Sequence, residues 1–308
     1  MGDIKAALMR ESNPIILGGG SNIVFTGDTE REALVIDNKG IQVEQEGEKQ
    51  IIVSIAAGEI WHDVVIWSIR QGYGGIENLS LIPGKCGAAP IQNIGAYGVE
   101  LSDVLIDVSC LDKSSLQVHQ FSKSECVLGY RDSKFKNDWK DQFVITSIRL
   151  ALTKAPFHRL NSSYGAIAQM LMNHGVSNPE PKDISKAVIE IRRSKLPDPE
   201  CLPNAGSFFK NPIIPITQFR RLVEVHGKLP SYPVSEHECK VPAGWLIDQC
   251  GWKGIMIGDV GVHTHQALVL VNHGAKNGNS ILSLAQQIQS SVKRRFDIQL
   301  QPEVNILP

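Results

Sequence analysis

The segment Pro83–Gly98 combines small residues with amide side chains in a way that suits close contact with a ligand. It contains four glycines and two prolines, and Lys85 is its only charged residue. A stretch of mainly small residues cannot build a core of its own. The amides of Gln92 and Asn93 both donate and accept hydrogen bonds, as contact with a heterocycle requires. A surface loop is the alternative interpretation, although such loops usually carry more charge.

A second glycine-rich segment, Gly18-Gly19-Gly20-Ser21-Asn22, follows the short apolar run Pro14–Leu17. Consecutive glycines allow positive φ and close backbone approach, and successive N–H groups in such a turn can bind phosphate oxygens. A tight turn between two strands explains these residues equally well. The segment lacks the G-x-G-x-x-G pattern that opens a dinucleotide-binding helix, which disfavours a Rossmann domain.

No spacing of histidines and cysteines in the sequence predicts a metal site. His263 and His265 form an H-x-H pair ahead of an apolar run, but no third ligand is evident. None of the six cysteines forms a C-x-x-C pair. The spacing of the cysteines therefore predicts free thiols in a reducing compartment.

Length and charge narrow the class of protein. A chain of 308 residues predicts two or three domains. With 31 basic and 32 acidic residues the net charge is −1, so nothing drives the chain toward nucleic acid or anionic membranes. No apolar run approaches the ~20 residues that span a bilayer, and Met1–Asn22 lacks the pattern of a secretion signal. We therefore expect a cytoplasmic protein that binds neither nucleic acid nor membranes.

Hydrophobic periodicity predicts both strands and helices, which must position these loops. The predicted strands are Pro14–Leu17, Ile51–Ala57, Val104–Cys110, Val144–Leu152 and Ala267–Val271. Helical spacing predicts helices over Ile60–Ile69, over Ile184–Ile191 with Asp183 as an N-cap candidate, and over Ile281–Phe296 with Ser280 as another. The segment Lys195–Pro203 holds three prolines and few apolar residues, and it is the best candidate for a domain boundary.

The two glycine-rich loops, in this order, resemble the flavin-binding half of the UDP-N-acetylenolpyruvoylglucosamine reductase (UDP-N-acetylmuramate dehydrogenase) family. Four other segments match motifs of that family, namely Gly129–Ser133, Asn204–Pro212, Ala243–Asp248 and Pro302–Val304. Ser162–Gly165 resembles the tyrosine loop of its longer form. The resemblance extends from about Pro14 to about Ile306. Before Pro14 the family carries a longer segment, so the first part of the flavin-binding unit is expected to be short.

The resemblance implies an α+β fold with a two-part FAD-binding unit of the PCMH/vanillyl-alcohol-oxidase-like type and a separate α+β substrate-binding domain. It implies the following division: residues 1–45 and 46–199 form the two parts of the FAD-binding unit, residues 200–295 form the UDP-sugar domain, and residues 296–308 form a tail that returns to the active site.

The resemblance also implies a function. FAD would be the cofactor and NADPH the co-substrate in the reduction of UDP-N-acetylglucosamine enolpyruvate to UDP-N-acetylmuramate, a step of peptidoglycan precursor synthesis, catalysed by a monomer. Arg131 would hold the substrate carboxylate, Ser207 would donate a proton and Glu303 would assist. The cofactor would contact Gly18, Gly19, Gly20, Ser21, Asn22, Pro83, Gly84, Gly87, Pro90, Gln92, Asn93, Gly95, Ala96, Tyr97 and Gly98. The UDP-sugar would contact Tyr164, Lys195, Asn211 and Gln266, with Arg192, one helical turn before Lys195, as a further candidate.

Two alternatives stay open from the sequence. An FAD oxidase of the same fold commonly attaches its flavin through a histidine or cysteine near the first loop, and Gly18–Asn22 offers neither. A truncated, non-catalytic homologue that binds a UDP-sugar would explain the short segment before Pro14.

Overall fold

The computed structural model describes residues 2–11 and 13–308. The chain divides into two compact units. Unit 1 contains the residues up to Gly20 together with Glu30–Ser194, and unit 2 contains Ser21–Thr29 together with Lys195–Pro308. This grouping differs from the four-part division above, because residues 21–29 belong to unit 2. The four-part division stays a prediction.

The helices of the described residues are α1 Gly2–Arg10, α2 Trp61–Arg70, α3 Lys123–Cys126, α4 Gly165–Asn173, α5 Pro181–Lys195, α6 Ile216–His226, α7 Ala243–Gln249 and α8 Asn279–Phe296. Every helix in this part of the chain is too short or too polar to cross a membrane. The strands are β1 Ile15–Leu17, β2 Ile23–Phe25, β3 Ala33–Val35, β4 Ile41–Glu46, β5 Gln50–Ala56, β6 Tyr73–Gly74, β7 Gly95–Ala96, β8 Val99–Glu100, β9 Leu105–Asp112, β10 Val118–Ser122, β11 Phe143–Lys154, β12 Asn204–Ser207, β13 Ile213–Pro215, β14 Tyr232–Pro233, β15 Glu238–Lys240, β16 Met256–Ile257, β17 Val260–Val262, β18 Val269–Asn272 and β19 Asn305–Leu307.

An antiparallel sheet with the strand order β10-β9-β11-β5-β4 forms the centre of unit 1. Ile51, Val53 and Ile55 of β5 are fully buried at alternate positions, as the period of a strand requires. The predicted strands at Ile51–Ala57, Val104–Cys110 and Val144–Leu152 are confirmed as β5, β9 and β11. The predicted helix over Ile60–Ile69 is confirmed as α2, which adds Trp61, Val64 and Val65 to the same core.

A smaller cluster in unit 1 joins α4 to α5 through Ile167, Leu171, Ile184 and Val188. The prediction that Asp183 is the N-cap of α5 was wrong, because the helix already begins at Pro181, a residue whose fixed φ suits the first turn. The carboxylate of Asp183 instead reaches back and accepts the N–H of Glu180 at 2.9 Å.

Unit 2 contains the sheet β12-β18-β17-β16 and the long helix α8. The predicted stripe of α8 is confirmed, since Ile281, Ile288 and Phe296 are buried in the core of this unit. Ser280 lies inside α8 rather than at its N-cap, because the helix begins at Asn279. Strand β19 pairs in parallel with β2, an arrangement that the sequence did not predict.

A buried carboxyl in unit 1 yields a test of this core. Glu77 is 2% exposed, and its Oε2 accepts the N–H of Gly75 at 2.6 Å. Burial raises the pKa of Glu77 above its ordinary value of 4.5, although the Gly75 hydrogen bond opposes the shift. The folded state therefore binds the proton more tightly than the unfolded state, and stability falls as the pH rises from 4.5 through the raised pKa. We expect Glu77→Gln to raise Tm at pH 7.

This gain in Tm should disappear below pH 4.5, where the wild-type carboxyl is protonated in both states. Thermal unfolding at several pH values measures the difference. Glu48→Gln, at an exposed position, is the matched control. A Glu77→Gln variant that is less stable than wild type at pH 7 would show that the charged carboxylate is preferred.

Candidate functional site

The two glycine-rich loops of unit 1 lie against each other. A Cβ added to Gly19 would lie 3.3 Å from the Cα of Gly84, and one added to Gly18 would lie 3.6 Å from the Cβ of Ala88. A side chain at Gly19 would require this neighbour to shift by a few tenths of an ångström, so glycine is favoured there. Nζ of Lys85 donates to the carbonyl of Ile36 at 2.7 Å and to Oδ1 of Asp37 at 2.9 Å. The structure therefore brings the two predicted cofactor loops together.

Backbone donors in the first loop are available for a ligand. Gly20 has a φ of 70°, and the N–H groups of Gly18, Gly19 and Gly20 meet no acceptor among the described residues. Such successive donors in a glycine turn can receive phosphate oxygens. Asn22, in unit 2, donates from Nδ2 to the carbonyl of Glu303 at 3.4 Å.

The second loop is fixed by backbone contacts with the end of β5. Cys86–Gln92 forms a 3₁₀ helix that includes Pro90. The N–H of Gly87 donates to the carbonyl of Ala57 at 2.9 Å, and a Cβ on Gly87 would lie 2.6 Å from the Cβ of Ala57. Gly87 thus permits the second loop to pack against Ala57 at the end of β5. Burial raises the pKa of the Cys86 thiol, which makes it a poor nucleophile.

Asn93 links this loop to the segment that carries Arg131. The residue is fully buried, and its φ of 45° lies in the left-handed region. Its Nδ2 donates to Oε2 of Glu100 at 2.7 Å and to the carbonyl of Gly129 at 3.1 Å, while its Oδ1 accepts the N–H of Ser102 at 2.9 Å. The amide is therefore bonded within the protein, a role that the sequence did not suggest. Oε1 of the neighbouring Gln92 accepts from Nζ of Lys136 at 3.5 Å.

Arg131 lies directly on the second loop. Gly129 and Asp132 exchange backbone hydrogen bonds across a tight turn, in which Arg131 has a φ of 54°. Its Nη2 donates to the carbonyl of Gly95 at 2.6 Å. A Cβ on Gly95 would lie 2.8 Å from Cγ of Glu100 and 3.2 Å from Nη1 of Arg131, so a residue without a side chain is favoured there. The structure thus brings the predicted catalytic arginine and the predicted cofactor loop together within unit 1.

Two predicted substrate residues of unit 1 lie beside the same loop. The ring of Tyr97 meets the ring of Tyr164 edge-on, with 5.6 Å between their centroids. Burial raises the pKa of Tyr97, and the charge of Arg192 opposes this shift. Burial lowers the pKa of Arg192. Tyr97 opposes this shift, whereas the charge of Arg131 adds to it. No sequence pattern predicts that Tyr97 and Arg192 influence each other, because the two residues are far apart along the chain.

In unit 2 the structure places Ser207 next to the C-terminal glutamate motif. Ser207 ends β12, directly after Gly206, which has a φ of 71°. The carbonyl of the following residue, Phe208, accepts the N–H of Glu303 at 2.8 Å, and Phe209 forms a β-bridge with Pro302. The serine motif and the glutamate motif, almost a hundred residues apart in sequence, therefore lie side by side.

The other predicted residues of unit 2 take defined positions. Oδ1 of Asn211 accepts the N–H of Ala243 at 2.9 Å, which leaves its amide nitrogen as the group to donate elsewhere. Oε1 of Gln266 lies near Gly244, where an added Cβ would come within 3.2 Å of it. Lys195 is exposed as the last residue of α5. Among the described residues, no three His, Cys, Asp or Glu side chains are grouped to hold a metal ion.

The chain is similar to proteins of one family over nearly its whole length. The family model of an FAD binding domain matches residues 4–119, and that of the C-terminal domain of UDP-N-acetylenolpyruvoylglucosamine reductase matches residues 198–307. The chain is similar to proteins named UDP-N-acetylenolpyruvoylglucosamine reductase from Flavobacterium johnsoniae, with 46% identity over 99% of this chain and 91% of the relative, and from Chromobacterium violaceum, with 47% identity over 97% and 88%. A crystal structure of the reductase from Thermus caldophilus matches 100% of this chain and 89% of its own, with a TM-score of 0.66 and 22% identity, which shows a shared fold.

The network around Asn93 can be tested by removing its amide. Asn93→Ala leaves the carbonyl of Gly129 and the N–H of Ser102 without this partner, and unsatisfied buried groups cost about 1–3 kcal/mol. We expect unfolding in urea to show a loss of stability of this size. Asn173→Ala, at an exposed end of α4, should change stability by less than ~0.5 kcal/mol. Equal stability of the two variants would contradict the role given to Asn93.

Proposed function

The chain belongs to the UDP-N-acetylenolpyruvoylglucosamine reductase family, and we propose that it reduces UDP-N-acetylglucosamine enolpyruvate to UDP-N-acetylmuramate with FAD and NADPH. This makes it an oxidoreductase of peptidoglycan precursor synthesis. Among observations on the structure, the bond of Arg131 to Gly95 supports the proposal most directly. It fixes a permanent positive charge on the loop that is proposed to hold the flavin.

The residues present fit an FAD cofactor. The close contact between Gly19 and Gly84 leaves no side chain to obstruct the loops, and the N–H groups of Gly18, Gly19 and Gly20 suit its diphosphate. We propose that the two loops hold FAD through Gly18, Gly19, Gly20, Ser21, Asn22, Pro83, Gly84, Gly87, Pro90, Gln92, Asn93, Gly95, Ala96, Tyr97 and Gly98. When bound, FAD supplies the hydride for the reduction of the substrate double bond.

We propose that Arg131 binds the carboxylate of the substrate. When the terminal carbon of the enolpyruvyl group gains a hydride, negative charge develops on the neighbouring carbon and spreads into this carboxylate. A guanidinium can grip both carboxylate oxygens and stays charged at any working pH. Because its charge is fixed in place before the reaction, Arg131 stabilises the developing charge without reorganisation.

We assign proton transfer to Ser207, with assistance from Glu303. A hydroxyl is a weak acid, but a carbanion beside a carboxylate is a much stronger base, so the proton moves from Oγ to carbon. Glu303 would act in its protonated or hydrogen-bonded form, since a free carboxylate would repel the developing negative charge. The hydrogen bond between Glu303 and Phe208, the neighbour of Ser207, supports their shared role.

Five residues are proposed to bind the UDP-sugar. Lys195 and Arg192 suit the anionic groups, whereas the amides of Asn211 and Gln266 suit the sugar and its acetamido group. Tyr164, 37% exposed, is available to cover the substrate. The orientation of Asn211 supports this role, because its oxygen is bonded to Ala243 and its NH₂ group faces outward from that bond.

The proposal extends to location and assembly. UDP-sugars and NADPH are compounds of the cytoplasm, where the six free cysteines would stay reduced. We propose that the chain acts there as a monomer. Sedimentation of the FAD-loaded protein tests the assembly, and a mass near 33.8 kDa is expected.

The activity itself is tested with purified, FAD-loaded protein. NADPH oxidation should depend on UDP-N-acetylglucosamine enolpyruvate. Parallel double-reciprocal lines are expected if NADPH leaves before the sugar enters. A preparation that binds no FAD, or that oxidises NADPH without regard to the sugar, would overturn the proposed function.

The role of Ser207 is tested by separating the two half-reactions. Ser207→Ala removes the proton donor, so reoxidation of the reduced protein by the UDP-sugar should slow by about 10²–10⁴-fold. Reduction by NADPH, which needs no proton from Ser207, should keep its rate. Ser290→Ala, on the exposed face of α8, is the control. Equal slowing of both half-reactions in stopped-flow measurements would remove Ser207 from this role.

A further inference from the structure

We propose that His62 is a positioning residue for the cofactor, because its neutral ring holds the chain at Leu81, just before the second glycine-rich loop begins. The inference rests on the proposed function and deepens it, since it gives a residue outside both loops a part in FAD binding. It also makes the affinity for FAD depend on pH, because only a neutral ring can accept the hydrogen bond from Leu81.

The start of α2 contacts the second loop and the residues before it at several points. The indole Nε1 of Trp61 donates to the carbonyl of Leu79 at 3.0 Å. The N–H of Trp61 donates to the carbonyl of Gly84, also at 3.0 Å. Ile60, directly before the helix, forms a β-bridge with Lys85. The chain is therefore anchored to α2 on both sides of the turn that leads into the loop.

His62 supplies the contact in the middle of this turn. Its Nδ1 accepts the N–H of Leu81 at 3.0 Å, and this N–H has no other acceptor among the described residues. Leu81 has a φ of 59°, in the left-handed region that leucine rarely adopts. Such a conformation persists only where neighbouring groups fix it. The bond from Leu81 to His62 is thus a support that the turn requires.

The residue before Leu81 is fixed from the other side. Ser80 is fully buried, and its Oγ lies 2.8 Å from Oγ of Ser185 in α5. The same Oγ donates to the carbonyl of Glu77 at 2.6 Å. Because none of these groups changes its hydrogen-bonding capacity by titrating near neutral pH as an imidazole does, His62 is the pH-sensitive contact of the turn.

The surroundings of His62 favour its neutral form. Burial lowers the pKa of His62 below its ordinary value of 6.5. The charge of Asp63 opposes this shift, whereas the charges of Arg193 and Arg192 add to it. At pH 7 Nδ1 is therefore free of a proton and accepts from Leu81. As the pH falls from 6.5 through the lowered pKa, Nδ1 gains a proton and the bond is lost.

Loss of this bond reaches the cofactor through the second loop. With His62 neutral, the turn at Leu81 is already in place and FAD binding orders little more of the chain. With His62 protonated, the turn gains freedom that FAD binding must remove, and this ordering reduces affinity. We therefore expect the affinity for FAD to be constant above pH 6.5 and to fall below it.

Two variants separate this role from a purely structural one. His62→Asn places an amide oxygen where Nδ1 lies, so it keeps an acceptor that does not titrate. His62→Leu has a similar size and no acceptor. Equilibrium dialysis of the FAD-loaded full chain measures Kd from pH 8 to pH 5, the range in which histidines titrate.

The expected results differ among the three proteins. Kd of the wild-type chain should rise about three- to tenfold from pH 8 to pH 5, as loss of one hydrogen bond predicts. His62→Asn should keep the wild-type Kd of pH 8 over the whole range, and His62→Leu should show the raised Kd at every pH.

His119→Asn, at an exposed position of β10 in the same unit, is the matched control and should keep the wild-type pH profile. Thermal unfolding shows whether each variant is folded. If His62→Leu does not fold, the comparison of wild type with His62→Asn still decides, because a merely structural histidine would not make the pH profile flat when replaced by asparagine.

Three outcomes would overturn the inference. Kd of the wild-type chain could stay constant from pH 8 to pH 5, His62→Asn could show the same rise as wild type, or folded His62→Leu could bind FAD as wild type does at every pH. Each is observed with a wild-type chain that binds FAD at pH 8. Each is therefore distinct from failure of the proposed function, in which the wild-type chain would bind no FAD or would oxidise NADPH without regard to the sugar.

Discussion

The close backbone contact between Gly19 and Gly84 is the constraint on which the rest of unit 1 depends. It holds the two glycine-rich loops together without side chains between them. The second loop then continues along the end of β5, where Gly87 packs on Ala57. The first half of the loop is fixed in this way, and the second half continues from it to the residues that contact Arg131.

The polar residues of unit 1 depend on that second half. Asn93 is bonded to the turn at Gly129, and the carbonyl of Gly95 receives the Arg131 guanidinium. A loop without a core of its own thus positions a cation, and the Asn93 amide bonds the loop to neighbouring segments. Charges that stay fixed in this way stabilise a transition state better than flexible ones.

The sequence could predict what depends on local pattern. Alternation in β5 and helical spacing in α2 and α8 identified these elements, since burial on one face leaves a periodic signature. The caps Asp183 and Ser280 were wrong, because several polar residues near a helix start can compete for the same role. Motif residues such as Arg131 and Ser207 came from resemblance to a family. The Asn93 network and the bond from Arg131 to Gly95 join distant segments, and a single sequence holds no record of such contacts.

The pairing of β2 with β19 has a consequence for how the protein is made. Thr26 and Leu307 are bonded although they lie 281 positions apart, so closing this contact carries a large entropic cost. On the ribosome, Ile23–Phe25 emerge early, whereas the strand Asn305–Leu307 that pairs with them is synthesised late. During that interval Ile23, Val24 and Phe25 present an unpaired β-edge of the kind that aggregates. Rapid translation or chaperone cover of this short segment would therefore influence the yield of folded protein.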